Sequence, residues 1–474
     1  MLSSKANDFF DDLKTLFKNS GETTAIVYGQ IRKCSFDRIK QDIQTVHCRH
    51  SIIRLLTLLK IANIPTVHRF INSDFSCLLP FCKDLLYKVK NDSKINWRRI
   101  LLKQAYSTMK GITPEQGDES TAQPCFILDD TDLPKRGKAI EWIGRIFSHV
   151  TRRYGLGFKC MNLTYWSGKH LLHLDFSLHI EPGSKKDQGL TKKELMNRYS
   201  KSRNVNSPGY MRETEILDNK IVSSIKMMRR AIAIGFQASY ILADSWFFCS
   251  KLVKFAISKN LCLVTRPKFN HWKYEYNGRL YTLGALVKKL RYKEKKKWNK
   301  QLKFHHISIS VIFKGTPISI FFYKEKKRGT PWQSIACTDR KLGAIQAYKI
   351  YQNRWSIEVS YKELKQLLGF GKCQSRDFDG QISDLTCCLM AYNHLSKIKA
   401  LTEYQSIGCL FDEISKSWIS PNLMQRFWNQ IYLIIQQIAI LVDKNFNDLL
   451  NLVMDKSDFL SDWNKIHLNL GAET

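Results

Sequence analysis

Cys125-Phe-Ile-Leu-Asp-Asp-Thr-Asp-Leu-Pro-Lys-Arg-Gly137 is a short apolar run that stops on carboxylates and a polar turn, the pattern of a strand that ends at Asp129. Outward from it the chain alternates strand and helix signals. Phe158–Trp166 reads as a second strand. Ser167-Gly168-Lys169 makes a turn, and Leu172, Leu174, Phe176, Leu178 and Ile180 recur with period two as a third strand. Ile216, Ile221, Ile225 and Met228 mark a helix that feeds Ser239-Tyr-Ile-Leu-Ala243, a fourth strand closed by Asp244. Cys249–Lys259 reads as a further helix and Leu261–Thr265 as a fifth strand.

Three strands, helix, strand, helix, strand is the element order of a ribonuclease-H-like α/β sheet. In that arrangement the first and fourth strands are neighbours, so Asp129 and Asp244 are expected side by side although 115 residues apart. A later stretch, Tyr351-Gln-Asn-Arg354-Trp-Ser-Ile-Glu358 through Lys365, has no Pro or Gly and reads as one helix. On one helix, Tyr351, Arg354, Glu358 and Lys365 share a face. Taken alone, Arg354 and Glu358 are an ordinary surface pair at i,i+4. Taken with two strand-end aspartates, Glu358 becomes the third member of a carboxylate cluster. Crowded carboxylates repel unless hard cations lie between them, and oxygen ligands suit Mg²⁺. Two such ions can activate water or a 3′-hydroxyl and stabilise the leaving oxygen of a phosphoryl transfer.

The partner is set by charge. The 474 residues carry 75 Lys+Arg against 42 Asp+Glu, a net of +33, which points to a polyanion and first of all to nucleic acid. A membrane surface fits less well, because the basic residues are mixed with strands and aromatics. The longest apolar stretch, Ile431–Val442, is interrupted by Gln436 and Gln437 and is too short for a span, so a soluble protein without a membrane partner is expected. The N-terminus lacks a signal-peptide pattern, and 13 cysteines, an odd number, suit a reducing compartment. Cys48, His50, Cys77 and Cys82 match no common zinc spacing and read as incidental.

Five regions follow. Residues 1–118 read as a helical, basic N-terminal DNA-binding region with apolar periodicity in Phe9–Phe17 and Ile52–Ile61, ending in a polar linker over 111–123. Residues 119–265 are the first part of the ribonuclease-H-like core and 341–400 its second part, bearing Glu358. Between them, 266–340 reads as a β-rich insertion with strand patterns at Phe304–Phe313 and Pro317–Tyr323. From Arg266 to Thr330 it has 18 Lys+Arg and 3 Asp+Glu, a net of +15, and the run Lys288–Lys297 suits phosphate tracking. Residues 401–474 return to helical periodicity suited to packing or self-association.

The spacing Tyr-x2-Arg-x3-Glu-x6-Lys at Tyr351, Arg354, Glu358 and Lys365, with Asp129-Asp130-Thr131 and Leu-Ala-Asp244-Ser-Trp, resembles the DDE transposases of bacterial insertion sequences, specifically the insertion-sequence-four family. The resemblance runs from about Cys125 to Leu395. It implies that Asp129, Asp244 and Glu358 hold two Mg²⁺ ions, for which Mn²⁺ can substitute. Its motif, Asp, any residue, then Thr or Ser, places the first ligand at Asp129 rather than Asp130. It further implies that Tyr351, Arg354 and Lys365 contact double-stranded DNA at the element's terminal repeats, and that the insertion covers that DNA. The family's base-stacking tryptophan has its nearest counterpart in Trp332, near the expected place but not at it. Cut-and-paste movement by nicking, a hairpin and strand transfer, a homodimer on DNA, and a bacterial cytoplasmic, nucleoid-associated location complete the expectation. A transposase-derived DNA binder without catalysis, or a nuclease that cuts without joining, are the other readings.

Overall fold

A computed structural model describes residues 22–33, 49–73, 83–112, 123–148, 151–181, 191–291, 296–326, 329–402, 404–419 and a few positions between 434 and 448. Phe9–Phe17, Cys48, Cys77, Cys82, most of the 111–123 linker, the centre of Lys288–Lys297 and most of the 401–474 tail lie outside these residues. Residues 1–415 form one compact unit and 416–474 a second, of which the described residues from 434 to 441 are helical. No described helix is long and apolar enough to cross a membrane.

The first unit begins with helices α1 (Glu22–Arg32), α2 (Arg49–Ile61), α3 (Val67–Ile71), α4 (Lys83–Lys90) and α5 (Trp97–Lys110). Strands β1 (Cys125–Pro134), β2 (Gly144–Ser148), β3 (Arg153–Trp166) and β4 (Leu171–His179) follow. Next come α6 (Lys192–Met196), α7 (Pro208–Thr214) and α8 (Lys220–Ile234), then β5 (Tyr240–Ala243), α9 (Ser250–Ser258) and β6 (Cys262–Thr265). The Asn219 side chain accepts the Ile221 N–H in the first turn of α8, and Gly235, at φ +113, closes that helix in the left-handed conformation glycine tolerates best.

β4, β3, β1, β5 and β6 lie side by side in that order. β3 is antiparallel to β1 and β4, whereas β1, β5 and β6 are mutually parallel. This is the expected ribonuclease-H-like order. β1 has strands on both edges and helices over both faces, and so Cys125-Phe-Ile-Leu128 is buried without alternation. Two details differ from the sequence reading. β1 does not stop at Asp129 but continues to Pro134 along β3, and β2, a short hairpin partner of β3, was not expected.

The basic insertion is not a separate sheet. Strands β7 (Tyr274–Tyr276) and β8 (Arg279–Tyr281), helix α10 (Leu283–Leu290), and strands β9 (Lys297–Asn299), β10 (Phe304–Phe313), β11 (Thr316–Glu325) and β12 (Gln333–Cys337) follow in turn. β12 pairs antiparallel with β6, so β12, β11, β10, β7 and β8 extend the core sheet edge to edge. Helices α11 (Ala344–Gln352), α12 (Trp355–Gln366) and α13 (Phe378–Leu401) follow, and then α14 (Ile407–Ile419), whose first nine residues close this unit.

α13 is buried almost all round, as a helix is when it forms the centre of its layer. It packs on α1, α2, α4, α5 and β4. Two of its polar groups are matched in kind: Asn393 accepts from His173 N at 2.8 Å and donates to His173 O at 2.9 Å, while Asp384 meets Lys60 and Lys90, each at 2.9 Å. Arg203, fully buried, binds Glu141 at 2.6 Å and Asp379 at 3.0 Å, fastening the segment before α7 to the start of α13.

Candidate active site

The parallel ladder between β1 and β5 ends at Leu128 opposite Ala243. The next residues, Asp129 and Asp244, therefore stand next to each other past the last rung, as the order of strands requires. Ala243 lies opposite Thr265 of β6, which puts Arg266 beside Asp244 in the same row. Thr265 Oγ1 donates to the carbonyls of Ala243 and Asp244, each at 3.0 Å, and Trp246 N donates to Asp244 Oδ1 at 2.8 Å. Backbone and carboxylate of Asp244 are thus both fixed locally.

Along β1 successive side chains face opposite ways. Asp129 and Thr131 face α12: Arg354 Nη1 lies 3.9 Å from Asp129 Oδ2, and Lys365 Nζ donates to Thr131 Oγ1 at 2.6 Å. Asp130 and Asp132 face away, Asp130 paired with Lys220 at the start of α8 and Asp132 with Lys159 at 2.8 Å. Asp130 thus already has its own cation on the other face of the strand.

The stretch read as one helix is two. α11 ends at Gln352 and α12 starts at Trp355, and Tyr351 sits in the last turn of the first while Glu358 and Lys365 belong to the second. Asn353 and Arg354 keep right-handed dihedrals, but the junction tightens to i→i+3 bonds, from Arg354 N to Tyr351 O and from Ile357 N to Arg354 O. A short 3₁₀ turn needs no Gly or Pro. α11 is seated on the insertion, with the Tyr348 ring 4.8 Å from Phe304 and Tyr323 Oη donating to Ala344 O at 2.7 Å. β10 and β11 therefore position Tyr351.

Arg354 is at the centre. Its Nη2 donates to Glu358 Oε1 at 2.5 Å, and its guanidinium lies 5.7 Å from the Tyr351 ring centre, with Arg266 at 5.9 Å from the same ring. Burial pushes the Asp129 carboxyl up to about 7, against the pull of Arg354 and with added repulsion from Asp130 and Asp244. Tyr351 is raised first by burial, with the two arginines opposing and Asp244 adding. Lys365 is lowered by burial. The fields of Asp129, Asp244 and Arg354 therefore overlap.

The donor set consists of carboxylate oxygens, which fits a hard divalent cation. Asp129 and Asp244 adjoin, but Glu358 is turned to Arg354, and among the described residues no three His, Cys, Asp or Glu side chains are grouped to hold a metal. In this structure the Arg354 guanidinium stands between the first and the third carboxylate.

Three residues that the sequence reading did not single out hold the site together. Tyr361, buried on α12, donates from Oη to Asp129 O at 3.1 Å, and Lys135 Nζ donates to Gly371 O at 2.9 Å and Cys373 O at 2.6 Å beyond α12. Arg266 is the third. Trp332 stands just before β12, half-buried against the core cluster of the sheet. Two indoles nearer the carboxylates are more open: Trp246 is 43% and Trp355 62% exposed, and Lys220 Nζ lies 4.6 Å from the Trp246 ring centre. Their one sequence signal was adjacency, to Asp244 and to Arg354.

A family model described as a transposase DDE domain matches residues 215–394, which include Asp244 and Glu358. A second, described as a DDE superfamily endonuclease, matches residues 116–275, which include Asp129 and Asp244. Together they support a transposase-type nuclease of the DDE superfamily. A search of curated proteins found no match.

Proposed function

We propose that this chain, on the premise of a transposase-type nuclease of the DDE superfamily, is a DNA transposase that cuts an insertion sequence out of one site and joins it to another. The observation that carries the reading is the adjacency of Asp129 and Asp244 beyond the parallel ladder, with Glu358 on a helix bound to β1, in a chain of net charge +33. A pure DNA binder gains nothing from carboxylates placed among its phosphate-seeking cations.

In this reading Asp129, Asp244 and Glu358 hold divalent cations, Mg²⁺ or Mn²⁺. When bound, these supply a nucleophile activated at neutral pH and a counter-charge for the leaving oxygen. Arg354, Arg266 and Lys365 bind phosphates of the terminal repeats, and Tyr351 orients the backbone between them. Trp246 and Trp355 offer exposed faces to bases, the half-buried Trp332 a smaller one, and the basic insertion tracks the flanking duplex. One strand is nicked at each end, the freed 3′-hydroxyl attacks the opposite strand to give a hairpin, and the opened end joins target DNA. Two ends require two active sites, hence a homodimer on DNA. The Tyr351, Arg354, Glu358 and Lys365 spacing supports the insertion-sequence-four subgroup.

The test is a strand-transfer assay with labelled element ends in Mg²⁺. Wild type is expected to yield nicked, hairpin and joined products, and Glu358→Ala to bind the ends without nicking or joining them. Cleavage retained by Glu358→Ala refutes the assignment, and cleavage without joined product by wild type reduces it to a nuclease.

A further inference from the structure

Arg354 is placed to do more than touch DNA. Among the described residues it is the cation whose ion pairs reach two of the three carboxylates, Glu358 at 2.5 Å and Asp129 at 3.9 Å. The other cations nearby are otherwise engaged: Lys365 on Thr131 Oγ1, Lys220 on Asp130 across the strand, and Arg266 on Gln333. The Arg354 side chain is 14% exposed and its Nε is buried without a hydrogen-bond partner, so one N–H of the guanidinium fork is unused where it now lies. A guanidinium satisfies that fork best on a planar, bidentate acceptor, and phosphate is one.

A divalent ion held by Asp129 and Glu358 needs both carboxylates turned to a common point, and a guanidinium between them both blocks that convergence and repels the ion. A DNA phosphate competes for the same guanidinium. Arg354 cannot serve Glu358 and a phosphate with the same N–H groups.

We propose that Arg354 couples the two binding events: it clamps Glu358 and screens Asp129 until a DNA phosphate draws it away, which releases Glu358 to the cation. This rests on the reading that Asp129, Asp244 and Glu358 are the cation ligands. Coupling of this kind is reciprocal, so the cation tightens DNA binding by the factor by which DNA tightens the cation. The chain then binds its cations weakly alone and tightly on substrate.

The test follows Mn²⁺ binding by the electron paramagnetic resonance of the free ion. The full chain is used with and without a short mixed-sequence DNA duplex, corrected for Mn²⁺ held by the duplex alone. Wild type is expected to bind Mn²⁺ about tenfold or more tightly when the duplex is present. Arg354→Gln is expected to bind Mn²⁺ without DNA about as tightly as wild type does with it, and to gain less than about twofold from the duplex. Arg354→Lys, which keeps a charge but not the fork, falls between them.

Equal affinity of wild type with and without duplex overturns the coupling, and does so whether or not the variants fold. Arg354→Gln binding no more tightly than wild type in the absence of DNA also overturns it. If wild type binds no Mn²⁺ in either condition, the carboxylate assignment falls and the coupling with it. If Mn²⁺ binds, is weakened by Glu358→Gln and is indifferent to DNA, the assignment stands and the coupling alone is lost.

Discussion

Asp384→Asn tests how firmly the N-terminal helices belong to the core. Asp384 lies on α13 with 3% of its side chain exposed, and its Oδ1 receives both Lys60 of α2 and Lys90 of α4 at 2.9 Å, themselves 5% and 9% exposed. Lys60 also donates to Pro65 O at 2.6 Å. The amide removes the one anion shared by two buried ammonium groups. Breaking a buried pair in this way costs about 3–5 kcal/mol. An independent bound comes from letting one lysine lose its proton: bringing a reference value of about 10.4 to pH 7 takes about 3.4 units, or about 4.6 kcal/mol. Both routes give a loss of about 4 kcal/mol, a large share of the ~5–15 kcal/mol that holds a typical protein folded.

The acid limb changes too. Burial would raise the Asp384 carboxyl, but Lys60 and Lys90 outweigh it and bring it down to about 2. A depressed carboxyl adds stability above its unfolded value, near 4, and that stability is lost as pH falls toward 2. Urea unfolding at pH 7, and then from pH 5 down to pH 2, measures both effects. A loss under about 1 kcal/mol at pH 7, or an acid limb as steep in the variant as in wild type, refutes the buried ionic clamp. The triple change Lys60→Met, Lys90→Met and Asp384→Leu should recover most of the loss, since the penalty lies in the orphaned charge.

Tyr361→Phe removes one hydrogen bond to the carbonyl of Asp129, and is expected to lower stability by about 1 kcal/mol while slowing end cleavage more than it weakens end binding; unchanged cleavage in a gel assay counts against Tyr361 as a positioning residue. Asp130→Asn loses the partly buried pair with Lys220, about 1 kcal/mol, and should keep Mn²⁺ binding and cleavage, whereas Asp129→Asn loses both; the reverse outcome moves the first ligand to Asp130. A fragment of residues 119–400 loses α2 and α5 and so uncovers the buried α13, and it should bind a hydrophobic dye or precipitate on expression; a monomeric, cooperatively melting fragment refutes that dependence.

Much of the core was legible because apolar runs and their breaks are local. β1, β5 and β6 announced themselves by four-residue apolar runs, and the order of elements then implied the neighbours of Asp129 and Asp244. What was not legible depends on contacts between distant segments. The 3₁₀ junction at Asn353 and Arg354 carries no breaker residue, so the sequence offered one helix where packing of Tyr348 on Phe304 sets two. The pairing of β12 with β6, which joins the insertion to the core sheet, is a register between strands some 70 residues apart. Tyr361 looks like any aromatic on a helix, and Arg266 like any residue after a strand, until the fold places them against Asp129 and Asp244.

The protonation of Asp129 separates a site built to receive cations from an accidental cluster. Its carboxyl is raised to about 7, first by burial and then by Asp130 and Asp244, although Arg354 opposes. A carboxyl raised in the folded state contributes stability that is full below its unfolded value, near 4, and lost as pH rises through 7. The lift of about 3 units corresponds to about 4 kcal/mol of destabilisation once Asp129 is ionised, in a window that does not overlap that of Asp384. A divalent ion among the carboxylates reverses the sign, because it favours the ionised form. The melting temperature without added cations should therefore fall between pH 4 and pH 7, and Mg²⁺ should raise it more at pH 8 than at pH 5. Asp129→Asn should flatten both dependences. If the variant keeps the wild-type slope and the wild-type response to Mg²⁺, Asp129 is neither the titrating group nor a ligand. A Mg²⁺ effect equal at the two pH values likewise means that the ion binds elsewhere.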